Sequence, residues 1–193
     1  MVRHAVSDLD GTLLNGSFEW DQVIEKEISR ILKRGYDFAA ATGRTEEGVK
    51  NCPGLWNMPV YLILMNGALI LDPKRRPILV KEISPGTKEH FLKKYPKANL
   101  EFITQERTLT RLSRETYIRE YGAWDMWRKK VLDKKESGYY ERYMARISFD
   151  CTEEDIRTAS VLKINGLELR DKHYGRILED LEESLVDAVN APF

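Results

Sequence analysis

Cysteine is scarce: Cys52 and Cys151 are the two in 193 residues, they stand far apart, and neither has a His or Cys neighbour at metal spacing. That excludes a disulfide framework and a thiolate metal site, and both read as ordinary reduced thiols. An excess of charge of one sign is also lacking, since 31 basic residues balance 31 acidic ones. The balance forecasts neither a nucleic-acid footprint nor a tether to anionic lipid. No run of about eighteen apolar residues occurs, so no membrane partner is expected. The N-terminus opens into a strand instead of a charged and apolar leader, which makes a soluble cytoplasmic protein the expectation. Internal repeats and low-complexity linkers are missing too. What remains is length enough for one domain or two small ones around a real core.

Against this background one stretch organises the chain, Asp8-Leu9-Asp10-Gly11-Thr12-Leu13-Leu14. It follows the apolar run His4-Ala5-Val6-Ser7 and reads as a strand opening into a turn. Side chains alternate along a strand, so Asp8 and Asp10 lie on one side while Leu9 points away. Two carboxylates held so close repel, and a divalent cation or a shared proton is expected between them. Oxygen-only ligands of this kind suit Mg²⁺, a hard ion usually held by one or two carboxylates plus substrate phosphate.

The next segment is helical by period: Val23, Ile24, Ile28, Ile31 and Leu32 recur on one face, Ser17 is placed to cap it, and Gly35 ends it. Tyr36 to Ala41 then reads as a second buried strand, which makes a strand–helix–strand unit and implies a parallel sheet with a right-handed crossover. That strand runs into Thr42-Gly43-Arg44-Thr45 and a helix start over Glu46 to Lys50. A hydroxyl beside free N–H groups at a helix N-terminus is an anion site. A third strand, Val60 to Met65, ends in Asn66-Gly67-Ala68, and the apolar runs 69–71 and 78–80 flank an Asp72-Pro73-Lys74 turn as a hairpin.

From Ile83 to about Ile164 the pattern changes to a mixture of helices (87–94 and 117–133) and strands (100–103 and 145–149). Tyr117, Tyr121 and Trp124 fall at helical spacing among Arg114, Arg119, Arg128, Lys129 and Lys130. Aromatics interleaved with cations are a way to stack on bases. The interspersed Glu115, Glu120, Asp125 and Asp133 favour instead an amphipathic helix with a solvated outer face.

These motifs in this order resemble the haloacid dehalogenase superfamily, whose signature Asp-x-Asp-Gly-Thr stands complete at residues 8–12. The strand, Asn66-Gly67-Ala68 and hairpin resemble its Cof-type branch, mostly phosphatases of sugar phosphates and similar small metabolites. The resemblance implies an α/β fold, a Rossmann-like parallel-sheet core over 1–83 and 164–193 with an inserted α+β cap domain over 84–163. It implies that Asp8 attacks phosphorus and forms an aspartyl-phosphate, that Asp10 protonates the leaving oxygen and later activates water, and that Asp8 and the Asp10 carbonyl hold Mg²⁺. Gly11 then lets the backbone turn close to the phosphate, Thr42 supplies the phosphoryl-binding hydroxyl with the Gly43 amide beside it, and Asn66 lies at the rim. Thr12, Arg44 and Lys172 complete the expected substrate-binding set.

The cation of the family's third motif has two candidates. After Leu167-Glu168-Leu169, Arg176 occupies the place of the usual lysine and Lys172 competes with it; the alternative for both is to cap or solvate a helix over 177–185. The fourth motif, Gly-Asp-x-x-Asn-Asp, is absent before Phe193, so the C-terminal part of the core is expected to be incomplete. Two functional readings follow. One is a Mg²⁺-dependent phosphomonoesterase acting on a small phosphorylated metabolite; the other is an impaired relative that binds a phosphorylated ligand or a partner without turnover. The sequence carries no signal for oligomeric state.

Overall fold

Alternation along the strands builds the first sheet. Phe38 and Ala40, Leu62 and Leu64, and Leu69 and Leu71 are buried, while the residues between them are half-exposed, the pattern of a sheet with one covered face. The structure, a computed structural model, describes residues 3–14, 20–122 and 138–166. It divides into two units, Met1–Ile83 and Ser84–Phe193.

In the first unit, β1 (His4–Asp8), β2 (Asp37–Ala41) and β3 (Tyr61–Leu64) run parallel, and β4 (Leu69–Leu71) and β5 (Pro77–Val80) return antiparallel, in the spatial order β1-β2-β3-β4-β5. The register sets Asp8 opposite Ala41 and Ala41 opposite Ile63, so the carboxyl ends of the three parallel strands lie level. Helix α1 (Gln22–Lys33) makes the crossover and buries Ile28. Its N-cap is Asp21, whose carboxylate accepts from the Val23 amide at 2.7 Å, so the helix begins later than a Ser17 cap predicts; Ser17 lies outside the described residues. Gly35, at φ +77°, stops the helix as expected, its amide reaching the Leu32 carbonyl at 2.9 Å.

After β2 the chain forms two short helices that the sequence reading resolves only in part, α2 (Glu46–Lys50) and α3 (Pro53–Trp56). Gly54 of α3 lies against the edge of the Trp20 indole, too close for any side chain, and Trp20 Nε1 donates to Glu25 on α1 at 2.9 Å. The β4–β5 turn is held from within by Asp72, which accepts from the Lys74 amide at 2.8 Å, the Arg76 amide at 2.9 Å and the Arg76 guanidinium at 2.7 Å. Arg75 leaves this turn at φ +64° and donates to the carbonyls of Met58 and Val60 at 2.6 Å each and to that of Trp56, with its guanidinium 5.0 Å from the Trp56 ring centre. It thereby gives a donor to the Trp56 carbonyl at the end of α3 and ties the loop from Trp56 to Val60 to the hairpin.

The second unit carries a four-stranded sheet in the order β8-β7-β6-β9. Its elements are α4 (Pro85–Lys94), β6 (Leu100–Ile103), β7 (Thr108–Thr110), α5 (Arg114–Gly122), α6 (Tyr139–Ala145), β8 (Ile147–Ser148), α7 (Glu153–Thr158) and β9 (Lys163–Gly166). Lys88 on α4 is buried and donates to the carbonyls of Arg157 and Ala159 at 2.6 and 2.7 Å, closing the end of α7. On the sheet, buried Glu101 accepts from Tyr117 Oη at 2.6 Å and from Asn165 at 3.2 Å, and Tyr143 Oη lies 3.0 Å from Tyr117 Oη.

Two expectations change here. The strand read over 145–149 is β8, only Ile147–Ser148, because the preceding tyrosine-rich stretch is the helix α6, which turns Met144 inward and brings Tyr143 to Tyr117. Ile164 to Gly166, assigned above to the returning core, pair with β6 inside the second unit's sheet, so that sheet extends through Gly166. Tyr117 and Tyr121 are buried and stacked with ring centres 3.9 Å apart, so they are the inner face of the amphipathic helix favoured above and not a base-stacking surface. Trp124 and the second half of the helix read to 133 lie outside the described residues.

Candidate active site

The site is built where β1, β2 and β3 end. Asp8 closes β1 and its carboxylate is exposed; Leu9, next in line, is fully buried and anchors the strand end in the core. From Leu9 to Leu13 the backbone makes a wide turn closed by the Leu14 amide on the Leu9 carbonyl at 2.9 Å. Gly11 sits in that turn at φ +81° with open space where a side chain would be, so glycine is required here by backbone conformation and not by crowding. The turn returns Thr12 towards the strand end, where Thr12 Oγ1 donates to Asp8 Oδ2 at 3.2 Å.

Asp10 faces β2. Thr42, buried just past the end of β2, donates from Oγ1 to Asp10 Oδ2 at 3.3 Å. Arg44 reaches the same carboxylate with Nη2 to Oδ1 at 2.6 Å and with Nε at 3.0 and 3.2 Å. The loop is knitted to the end of β3, since Thr42 N donates to Ile63 O at 2.8 Å, Met65 N to Arg44 O at 3.1 Å and Asn66 N to Thr42 O at 3.3 Å. Met65 and Asn66 take positive φ, 51° and 57°, to make that fit. Thr45 caps α2 by accepting from the Gly48 amide at 3.1 Å.

Asp8, Asp10, Gly11, Thr12, Thr42, Gly43, Arg44 and Asn66 therefore all stand at the carboxyl ends of adjacent strands, the place where open α/β sheets bind ligands. Arg176 and Lys172 lie outside the described residues. Arg44 is spent on Asp10, a contact that sequence spacing does not reveal across 34 residues. Gly48, whose carbonyl accepts from Arg44 Nη1 at 3.4 Å, is a further member that the sequence reading passed over. Cys52 lies nearby; burial pushes its thiol above the ordinary range, so it is protonated and unsuited to be a nucleophile, and both cysteines are free.

Chemically the site offers an exposed carboxylate, a second carboxylate held by a guanidinium and a hydroxyl, and backbone amides. Its carboxylates are hard oxygen donors, which fits a Mg²⁺ that keeps much of its water and takes few protein ligands. Among the described residues no group of three or more His, Cys, Asp or Glu side chains forms a metal cluster. A separate groove of about 240 Å³, lined by His4, Val6, Asp37, Ala39, Tyr61 and Ile63 among others, lacks the acid pair.

An α/β sheet, parallel over its first three strands and with its polar residues gathered at their carboxyl ends, defines a Rossmann-like α/β protein. More closely, the chain belongs to the haloacid dehalogenase-like hydrolase family, whose model matches residues 5–191. It is 38% identical over 94 residues to a Buchnera aphidicola protein named "Putative phosphatase", covering 49% of this chain and 35% of that protein. It is 26% identical over 137 residues to the HMP-PP phosphatase of Cronobacter sakazakii, covering 70% of this chain and 50% of that one. The chain thus spans between about a third and a half of the length of these two curated relatives. The fold matches a haloacid dehalogenase-like hydrolase from B. subtilis with a TM-score of 0.71 at 19% identity, over 95% of this chain and 67% of the other. Among the described residues no helix is long and apolar enough to cross a membrane.

Proposed function

We propose that this protein hydrolyses phosphomonoesters of small metabolites such as sugar phosphates, through an aspartyl-phosphate on Asp8. The observation that carries the reading is the joining of the first two strand ends at one carboxylate: Asp10, two residues past Asp8, is bonded to Thr42 at the end of β2. The family membership and the names of the curated relatives support it.

In this reading an Asp8 carboxylate oxygen attacks phosphorus while the bond to the leaving oxygen breaks, and Asp10 gives that oxygen its proton. Asp10 then takes a proton from water as the water attacks the phosphorus of the aspartyl-phosphate, which returns Asp8 and releases inorganic phosphate. Thr42 Oγ1 and the Gly43 amide hold phosphoryl oxygens, and Gly11 and Thr12 shape the turn beneath them. Asp8 and the Asp10 carbonyl would hold Mg²⁺, which when bound supplies charge to offset that of the phosphoryl group. Arg176 or Lys172 is the candidate for the remaining cation, and the second unit is the candidate cap that selects the leaving group.

The test is release of inorganic phosphate from a panel of sugar phosphates with Mg²⁺ and with a chelator, by the wild type and Asp8→Asn. Metal-dependent release that Asp8→Asn lowers by about 10³-fold or more is expected. Equal release by the two proteins removes Asp8 as nucleophile. No release, together with a rise in melting temperature on adding a phosphorylated metabolite, replaces this reading with that of a ligand-binding protein.

A further inference from the structure

Arg44 makes more contacts with Asp10 than with anything else at the site, and its own position is fixed on every side. Its amide donates to Thr42 Oγ1 at 3.1 Å and its carbonyl accepts from Met65 N at 3.1 Å, so the backbone is tied to the ends of β2 and β3. Its side chain then crosses Gly48 on α2. A Cβ added to Gly48 would lie 3.2 Å from Arg44 Cβ and 3.7 Å from Cδ, tighter than ordinary contact at the first and touching at the second. The glycine leaves that path open, and its carbonyl receives Nη1 at 3.4 Å. Beyond it, Nη2 meets Asp10 Oδ1 at 2.6 Å, and Nε donates most closely to Oδ2 at 3.0 Å with Oδ1 at 3.2 Å. Two-point contact between planar groups fixes rotation of the carboxylate about its own axis, which a single point charge does not do. The Arg44 side chain is about one-fifth exposed, 21%, and its guanidinium is engaged with Asp10 and the Gly48 carbonyl, so it is not presented to incoming substrate as a free cation.

We propose that Arg44 is a positioning residue: its fork, set by Gly48 and by the strand ends, holds the Asp10 carboxylate in the one rotation that delivers a proton to the leaving oxygen. This rests on the phosphatase reading above and gives Arg44 a different task from binding substrate. Asp8 is held by Thr12 and not by the fork. Loss of Arg44 therefore weakens help to the leaving group while sparing the attack of Asp8 on phosphorus, and the damage to this first step depends on how much the leaving oxygen needs a proton; the later attack of water, common to all esters, slows equally for each.

Aryl phosphates of similar size separate these effects. With Mg²⁺ present, kcat and KM are measured on p-nitrophenyl phosphate, whose leaving group departs as a stable anion, and on p-methoxyphenyl phosphate, whose leaving group needs a proton, for the wild type, Arg44→Ala and Arg44→Lys. A positioned acid contributes about 10²–10⁴-fold to rate. In Arg44→Ala the ratio of kcat/KM on the nitro ester to kcat/KM on the methoxy ester, which reads the steps up to the aspartyl-phosphate, is expected to rise by about tenfold or more. Arg44→Lys shows the same rise, because charge without the fork does not restore rotation, and added guanidinium ion lowers the ratio again in Arg44→Ala. If Arg44→Ala does not fold, Arg44→Lys reads the same ratio. An unchanged ratio overturns the proposal, whether kcat/KM falls equally on both esters through kcat, as for a merely structural residue, or through KM alone, as for a substrate ligand. A wild type that releases phosphate from neither ester nor any of the sugar phosphates removes the phosphatase reading itself, and this role with it.

Discussion

Thr42 Oγ1 lies 3.3 Å from Asp10 Oδ2, across 32 residues of chain, and the same hydroxyl receives the Arg44 amide at 3.1 Å. One side chain thus closes the carboxyl ends of two parallel strands onto one carboxylate. Thr42→Val keeps the branched shape and removes the hydroxyl. A hydrogen bond to a charged group is worth about 1.5–3 kcal/mol, so kcat/KM for a phosphate ester should fall roughly 10- to 100-fold. Thr42→Ser should recover most of it. A valine variant as active as the wild type rules out the hydroxyl as a phosphoryl ligand.

Gly54 is predicted to tolerate no side chain. Its missing Cβ would collide with the edge of the Trp20 indole, which the bond to Glu25 holds in place. Gly54→Ala should lower the free energy of unfolding by about 1–3 kcal/mol, the usual cost of overpacking, read from the urea midpoint. Helix propensity alone would make alanine the better residue in α3, so a variant at least as stable as the wild type shows that Trp20 moves aside freely.

Asp72 gives the fold an acid-sensitive clamp. The Arg76 amide above all, and then its guanidinium and the Lys74 amide, hold the Asp72 carboxyl below the usual carboxylate range. A depressed folded-state value means that the stabilisation is complete above the unfolded value of about 3.9 and drains away as pH falls through that value towards the folded one. Asp72→Asn should be less stable than the wild type at pH 7, and the gap should narrow as urea midpoints are taken down to about pH 3. A gap that stays constant over that range assigns the loss to packing instead of charge.

In the second unit, Tyr117→Phe removes the hydroxyl that donates to buried Glu101 at 2.6 Å and meets Tyr143 at 3.0 Å. Burial already pushes the Tyr117 phenol above its ordinary range, so the donor is always protonated. The expected cost is about 1.5–3 kcal/mol, since Glu101 loses a donor inside the protein. Thermal unfolding at neutral pH measures it, and an unchanged melting temperature would mean that another donor takes the place of Tyr117.

Much of this was legible from residues alone where period and punctuation agree. The strands around Ala40, Leu62 and Leu69 alternate cleanly, Gly35 stops α1 where its positive φ is needed, and Asp8, Asp10 and Thr42 arrive together at the strand ends. Ser84, followed by proline at the first helical position, opens α4 a little before the period alone begins it. The misreadings arise where tertiary contacts outweigh local preference. Aromatic residues favour strands, yet Tyr139–Ala145 is helical because Met144 and Tyr143 are drawn onto Tyr117 and its neighbours. β7 is too short, at Thr108–Thr110, to show a period. Arg44 beside a helix start reads as a solvated or substrate-facing cation until Asp10 is placed next to it, and no rule of spacing brings residues that far apart together.

The tip of a β-hairpin is ordinarily the place where a chain accepts foreign residues most readily. Arg75 makes the β4–β5 tip an exception, because its guanidinium is spent on main-chain oxygens from Trp56 to Val60, well upstream of the hairpin. Lengthening or randomising 72–76 would therefore strip the end of α3 of its donors, and grafted peptides at that tip would be felt in the lead-in to β3.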